Sequence, residues 1–250
     1  VEKRVGFELE AERPFKFSDR KDYYGWEQNH EGLWYYTVFL EHGRILDHEG
    51  VQLKTAFYEI AKTGKANFRF TCNQNLILSD ISEKDKKKID TILKNYGVID
   101  HTNNASAVRK NSIACVALNT CPLALAEAQR YLPTLISKIE PLLKKYDLQE
   151  EEIIIRMTGC PNGCGRSSNS EIGFIGTGLG RYNLHIGGDH LGLRLNSKYK
   201  DNLDEEAILQ ELDFLFGEFK DKRNKGEAFG DFTNRLFSTL TVPNEPTLQS

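Results

Sequence analysis

Four of the five cysteines fall into two close pairs, Cys115-x5-Cys121 and Cys160-x3-Cys164, with 38 residues between them. Thiolates in pairs are metal-ligand arithmetic, and they are the standard ligands of iron–sulfur clusters. Zinc sites normally draw on pairs two to four residues apart, so x5 fits zinc poorly and x3 only passably. The second pair lies in Thr158-Gly159-Cys160-Pro161-Asn162-Gly163-Cys164-Gly165. There proline blocks simple helix continuation, and three glycines open backbone angles closed to other residues. Such a loop can turn successive N–H groups toward a cluster, and hydrogen bonds to sulfur tune its potential. A disulfide pair with spare thiols is the competing reading. An odd cysteine count without a signal peptide argues against it and for reduced thiols in a cytoplasmic protein. Cys72 has no partner at ligand spacing and is expected to be a free thiol.

The elements that must position these residues read as an α+β fold. Residues 1–19 are charged and carry Pro14, which predicts an entry arm. Residues 20–97 predict one unit: a strand over 33–40, a turn at 42–44, a helix over 51–62 ended by Gly64, strands over 66–71 and 76–78, and a helix from Ser82 to about Tyr96 stopped by Gly97. The polar residues 98–111 are expected to join it to a second unit, the whole of 98–250 forming that second domain. Pro122 suits the first turn of a helix. The apolar spacing from Leu125 to Leu143 extends that helix, with a kink or break at Pro133 and Pro141. Strands are expected over 153–157, 172–175 and 182–186, and helices over 204–223 and 228–238. The sheets are expected to be antiparallel, with flanking helices.

Composition excludes some partners. A formal net charge of −3 is too small to imply nucleic acid or an anionic membrane. No apolar run approaches the ~20 residues of a membrane span. The chain begins Val1-Glu2-Lys3-Arg4 without an initiating Met, which predicts a processed chain or a piece of a longer one.

The stretches Asn111-Ser112-Ile113-Ala114-Cys115-x5-Cys121-Pro122-Leu123-Ala124 and Arg156-Met157-Thr158-Gly159-Cys160-Pro161-Asn162-Gly163-Cys164-Gly165-Arg166 closely resemble the siroheme-dependent nitrite and sulfite reductase family. The likeness is greatest to assimilatory sulfite reductase hemoproteins. It extends through Gly43-Arg44-Ile45-Leu46, Phe68-Arg69-Phe70-Thr71, Asn73-Gln74-Asn75-Leu76, Arg181–Gly188 and Phe229–Thr233. The resemblance implies a ferredoxin-like half domain followed by a siroheme and iron–sulfur domain. It implies a 4Fe–4S cluster on Cys115, Cys121, Cys160 and Cys164, with Cys164 also donating its thiolate to siroheme iron. The implied reaction is reduction of sulfite to sulfide, with electrons from a flavoprotein or a ferredoxin. Pro122-Leu123-Ala124 favours sulfite over nitrite, and the 181–185 stretch favours an NADPH-dependent flavoprotein donor. A non-catalytic cluster- or zinc-binding protein is the alternative from another class.

The family enzyme has two similar halves, and this chain resembles only the second. An N-terminal half, in the same or another chain, is therefore an expected partner, and most sulfite-holding basic residues are expected there. Siroheme carries eight carboxylates, which call for cationic and amide donors. Arg69, Asn73, Gln74 and Asn162 are candidates to face it, against a plain reading of solvated charge and turn residues. Arg109, Lys110 and Arg166 flank the cysteine motifs and are weighed the same way. The histidines, the Trp34-Tyr35-Tyr36 run and Lys84–Lys88 read as ordinary strand, turn, core and surface residues.

Overall fold

A run of aromatic and β-branched residues favours a half-buried strand, and that preference sets the first layer. The computed structural model describes residues 2–237; Val1 and residues 238–250, which include the last residue of the helix expected over 228–238, lie outside the described residues. A short helix α1 (Glu2–Val5) precedes residues 8–24, which have no regular secondary structure. The strands and helices of the next stretch are β1 (Gly25–Gln28), β2 (Trp34–Val38), β3 (Asp47–His48), β4 (Val51–Gln52), α2 (Leu53–Thr63), β5 (Asn67–Phe70), β6 (Leu76–Ile81) and α3 (Glu83–Asn95). Four of these strands form an antiparallel sheet in the order β1-β2-β6-β5. Tyr36, Val38, Leu76 and Leu78 from the sheet share one core with Ala56 and Ile60 of α2 and with Ile89 and Leu93 of α3. Both helices follow the expected amphipathic spacing, and α2 ends at Gly64 in the left-handed conformation. The expected turn at 42–44 is a short 3-10 helix, Glu41–Gly43.

The connection over 98–111 is more structured than its polar composition suggests. It holds α4 (Val98–Asn104) and α5 (Ala107–Lys110), and Val98 and Ile99 pack into the first core. Then come β7 (Ser112–Ala114), α6 (Leu132–Lys145), β8 (Ile155–Thr158), β9 (Ile172–Gly178), β10 (Arg181–Ile186), β11 (Ser197–Leu203), α7 (Glu205–Lys222) and α8 (Phe229–Phe237). The second sheet runs β11-β10-β9-β8-β7. Antiparallel pairs join β9, β10 and β11, while β7, β8 and β9 are parallel. The parallel part was not expected. Parallel pairing needs a long crossover, and here the 115–154 stretch with α6 supplies one. Phe174 and Leu184 of this sheet, Ile136 and Ile139 of α6, and Phe216, Phe219 and Phe232 from α7 and α8 build the second core.

The helix expected from Pro122 is absent; helix begins only at Leu132. Residues 122–131 are turns because their amide groups are used elsewhere: the Leu125 and Ala126 N–H groups both donate to the Gly159 carbonyl, at 2.8 and 3.0 Å. Strands β1, β7 and β11 were also not anticipated. β7 is three residues long, and the polar run of β11 lacks the apolar alternation that marks a strand.

Candidate metal centre

Parallel pairing of β7 with β8 brings both cysteine motifs to one end of the second sheet. Ala114 lies opposite Met157, and the ladder continues as the Cys115 N–H donates to the Met157 carbonyl at 3.1 Å. Both chains then leave the sheet together, the first into the loop bearing Cys115 and Cys121, the second into the loop bearing Cys160 and Cys164. The loops are laced to each other. Gly159 N–H donates to Cys115 Sγ at 3.2 Å, and Gly159 carbonyl receives the two amides already named. A side chain at Gly159 has no room: a Cβ there would stand 2.6 Å from the Ala126 carbonyl oxygen and 2.7 Å from Ala117 Cβ. At Gly165 a Cβ would stand 2.4 Å from the Met157 carbonyl oxygen.

Exposure of the four thiols is graded. Cys160 is buried, Cys115 and Cys121 are intermediate, and Cys164 is exposed. Burial pushes the Cys115 thiol above its ordinary pKa, and the neighbouring Cys164 and Cys160 act in the same direction while amides of Gly159 and Ala117 oppose it. Among the described residues no three His, Cys, Asp or Glu side chains stand close enough to share one metal ion. Val116, Leu123 and Leu125 leave apolar surface exposed on the same loops. Cys72 is exposed and free.

The other predicted site residues separate into distinct roles. Arg69 lies on the exposed strand β5, where it donates to Ser79 Oγ (2.7 Å) and Asp80 Oδ2 (2.9 Å) of its own sheet. Asn73 donates to the Arg20 carbonyl at 3.1 Å. Gln74 Nε2 donates to the Ala114 carbonyl at 2.9 Å, one residue before Cys115. Asn162 is exposed between its two flanking cysteines. Arg109 is committed elsewhere: it pairs with Glu41 and Glu140 and donates to Ser137. Arg166 donates to the Cys72 carbonyl at 2.5 Å.

Two arginines went unassigned in the sequence reading. Arg156, buried in β8, donates to the Asn169 carbonyl at 2.7 Å, while its Nε has no partner. Burial, then repulsion from Arg166 and Arg20, pushes its pKa down to about 9. Arg20 anchors the entry arm by donating to Asn169 Oδ1. An arginine inside the apolar run Ile153–Met157 was the available signal for the first; Arg20 carried none.

Comparison with known proteins follows the same outline. Residues 26–96 match the family model described as the nitrite/sulfite reductase ferredoxin-like half domain, which is the sheet with α2 and α3. The chain thus carries the ferredoxin-like half domain of nitrite and sulfite reductases, and its curated homologues are sulfite reductase hemoproteins. It is 61% identical over 236 residues to the sulfite reductase [NADPH] hemoprotein beta-component of Leptospira biflexa, covering 94% of this chain and 42% of that protein. It is 48% identical to that of Alteromonas mediterranea, covering 94% of this chain and 41% of the relative. The chain thus spans about two fifths of the curated relatives it matches. The solved structure of Mycobacterium tuberculosis NirA protein has the same fold (TM-score 0.73, 24% identity, 94% of this chain and 44% of that one).

Proposed function

We propose that this chain is the cofactor-bearing C-terminal part of a sulfite reductase hemoprotein. Cys115, Cys121, Cys160 and Cys164 would hold a 4Fe–4S cluster, and Cys164 would share its thiolate with siroheme iron. The observation that supports the reading is that two laced loops carry all four cysteines at one end of the second sheet, with Cys160 buried, Cys115 and Cys121 intermediate and Cys164 exposed. When bound, the two cofactors would supply electrons one at a time for the six-electron reduction of sulfite to sulfide.

This chain's own residues do the holding. Gly159 N–H bonds to Cys115 Sγ, and the 122–126 turns are held against the second cysteine loop by the Leu125 and Ala126 amides on the Gly159 carbonyl. Exposed Val116, Leu123 and Leu125 offer apolar surface to a macrocycle. Asn162 and Arg166 flank Cys164 and suit a polycarboxylate. Sulfite-holding cations, the N-terminal half of the hemoprotein and a flavoprotein donor using NADPH, or a ferredoxin, complete the proposed system. We place the half domain at 20–97 and the cofactor domain from 98 onward. Free thiols fit a cytoplasmic setting, and no described helix is long and apolar enough to cross a membrane.

The test is anaerobic purification of the full-length protein with iron, zinc, sulfide and siroheme analysis, repeated for Cys164→Ser. Siroheme with acid-labile sulfide in the wild type, and siroheme lost from the variant, is expected. Zinc without sulfide would overturn the reading; faster turnover of nitrite than sulfite would reassign the substrate.

A further inference from the structure

The loop Thr71–Asn75 belongs to the first sheet, yet its contacts reach both cysteine loops. Gln74 Nε2 donates to the Ala114 carbonyl, next to Cys115. From the other side, the Arg166 guanidinium, two residues beyond Cys164, donates to the Cys72 carbonyl. The loop is itself stiff. Thr71 Oγ1 accepts from the Asn73 and Asn75 N–H groups at 3.2 Å, and Asp22 accepts from Thr71 Oγ1 at 2.7 Å and Asn75 Nδ2 at 2.8 Å. It is a fixed post to which both of the mutually laced loops are also tied.

Backbone conformation adds an independent observation. Arg166 sits at φ 56°, in the left-handed region, which costs a non-glycine residue free energy. It lies between two tight turns, with its N–H on the Gly163 carbonyl (2.7 Å) and its carbonyl receiving the Asn169 N–H (2.9 Å). Glycine would occupy this position at lower conformational cost. The side chain's visible contribution is the bond to Cys72. Gln74 is also left-handed, at φ 67°, and its amide is the group that reaches β7.

We propose that Gln74 and Arg166 are positioning residues of the metal centre, holding the Cys115 and Cys164 loops at a set separation by anchoring both to the Cys72–Gln74 backbone. The proposal rests on the cluster reading above and adds that the ferredoxin-like half domain governs how tightly this chain keeps the cluster. Neither residue needs to touch the cofactor. Each donates to a main-chain carbonyl, so the requirement is for a donor of sufficient reach.

The experiment is the rate of cluster loss to an iron chelator in the full-length holoprotein, followed by bleaching of iron–sulfur absorbance, with urea unfolding of each apoprotein alongside. One lost hydrogen bond of typical strength corresponds to about fivefold, so Gln74→Ala and Arg166→Gly should each bleach about fivefold faster. Arg166→Gly also relieves the backbone, so its unfolding midpoint should stay near wild type; a merely structural role would move the midpoint instead. Arg166→Lys keeps a donor and should bleach within about twofold of wild type. Gln74→Glu, which sets a carboxylate against a carbonyl, should do no better than Gln74→Ala. Lys145→Ala, paired with Asp213 on the surface, is the unchanged control. Bleaching at the wild-type rate in both Gln74→Ala and Arg166→Gly overturns the proposal, as does Arg166→Lys bleaching as fast as Arg166→Gly. A wild-type protein without acid-labile sulfide fails earlier and overturns the cluster reading beneath it.

Discussion

Replacing Gly159 by alanine tests whether the two cysteine loops are as closely laced as the geometry indicates. The added Cβ would stand 2.6 Å from the Ala126 carbonyl oxygen, 2.7 Å from Ala117 Cβ and 3.2 Å from Ala124 Cβ. Two of these are below any ordinary contact, and one is with backbone, so the 117–126 turns must move as a body. Overpacking of this kind costs about 1–3 kcal/mol. Displacement also weakens the Leu125 and Ala126 bonds to the Gly159 carbonyl, each contributing about 1 kcal/mol. A loss of about 3 kcal/mol follows, which lowers a urea midpoint by about 1 M for a denaturant slope near 3 kcal/mol/M. The assay is urea unfolding by far-UV circular dichroism on Gly159→Ala, Ala117→Gly and the double variant. Ala117 has φ 49°, so glycine there removes one clash and relaxes a left-handed residue. The double variant should recover about 1 kcal/mol, and only in part, because the Ala126 oxygen still blocks the site. Gly159→Ala unfolding within 0.2 M of wild type, or a double variant no better than the single, would refute the argument.

Three further outcomes follow from groups away from the thiols. Arg109 bridges Glu41 and Glu140 from a half-buried position, so Arg109→Met strands two carboxylates and should cost about 3 kcal/mol; Arg109→Lys, lacking the planar fork, should restore less than half of it in urea unfolding. His42 is buried, and burial, then Arg109, depresses its pKa to about 4. Its neutral form is favoured in the fold, so this contribution is complete above pH 6.5 and is lost as pH falls toward 4; His42→Gln should flatten that acid limb of a stability-versus-pH series. His190 behaves oppositely. The hydrogen bond from its Nδ1 to Glu171 raises its pKa, so its contribution is complete below the ordinary histidine value and fades as pH rises through the raised one. His190→Asn should remove that alkaline decline while leaving the acid limb intact.

The legible part of this protein was the part written locally. Amphipathic spacing located α2, α3 and the body of α6, glycine marked the end of α2, and cysteine spacing with its glycine- and proline-rich context marked a candidate metal site. These signals survive because a helix face or a ligand pair is specified by residues a few positions apart. Long-range hydrogen bonding decided what sequence spacing could not. Pro122 and the apolar positions after it satisfied every local rule for a helix, yet the Gly159 carbonyl, far along the chain, took the amides a helix would have used. Short β7 and polar β11 became strands because neighbouring strands offered free backbone groups. Gln74 and Arg166 read as candidates for the cofactor, weighed against turn and surface roles; tertiary structure adds a main-chain carbonyl as partner for each. A side chain's type sets what it can bond; only the packed fold determines which partner lies within reach.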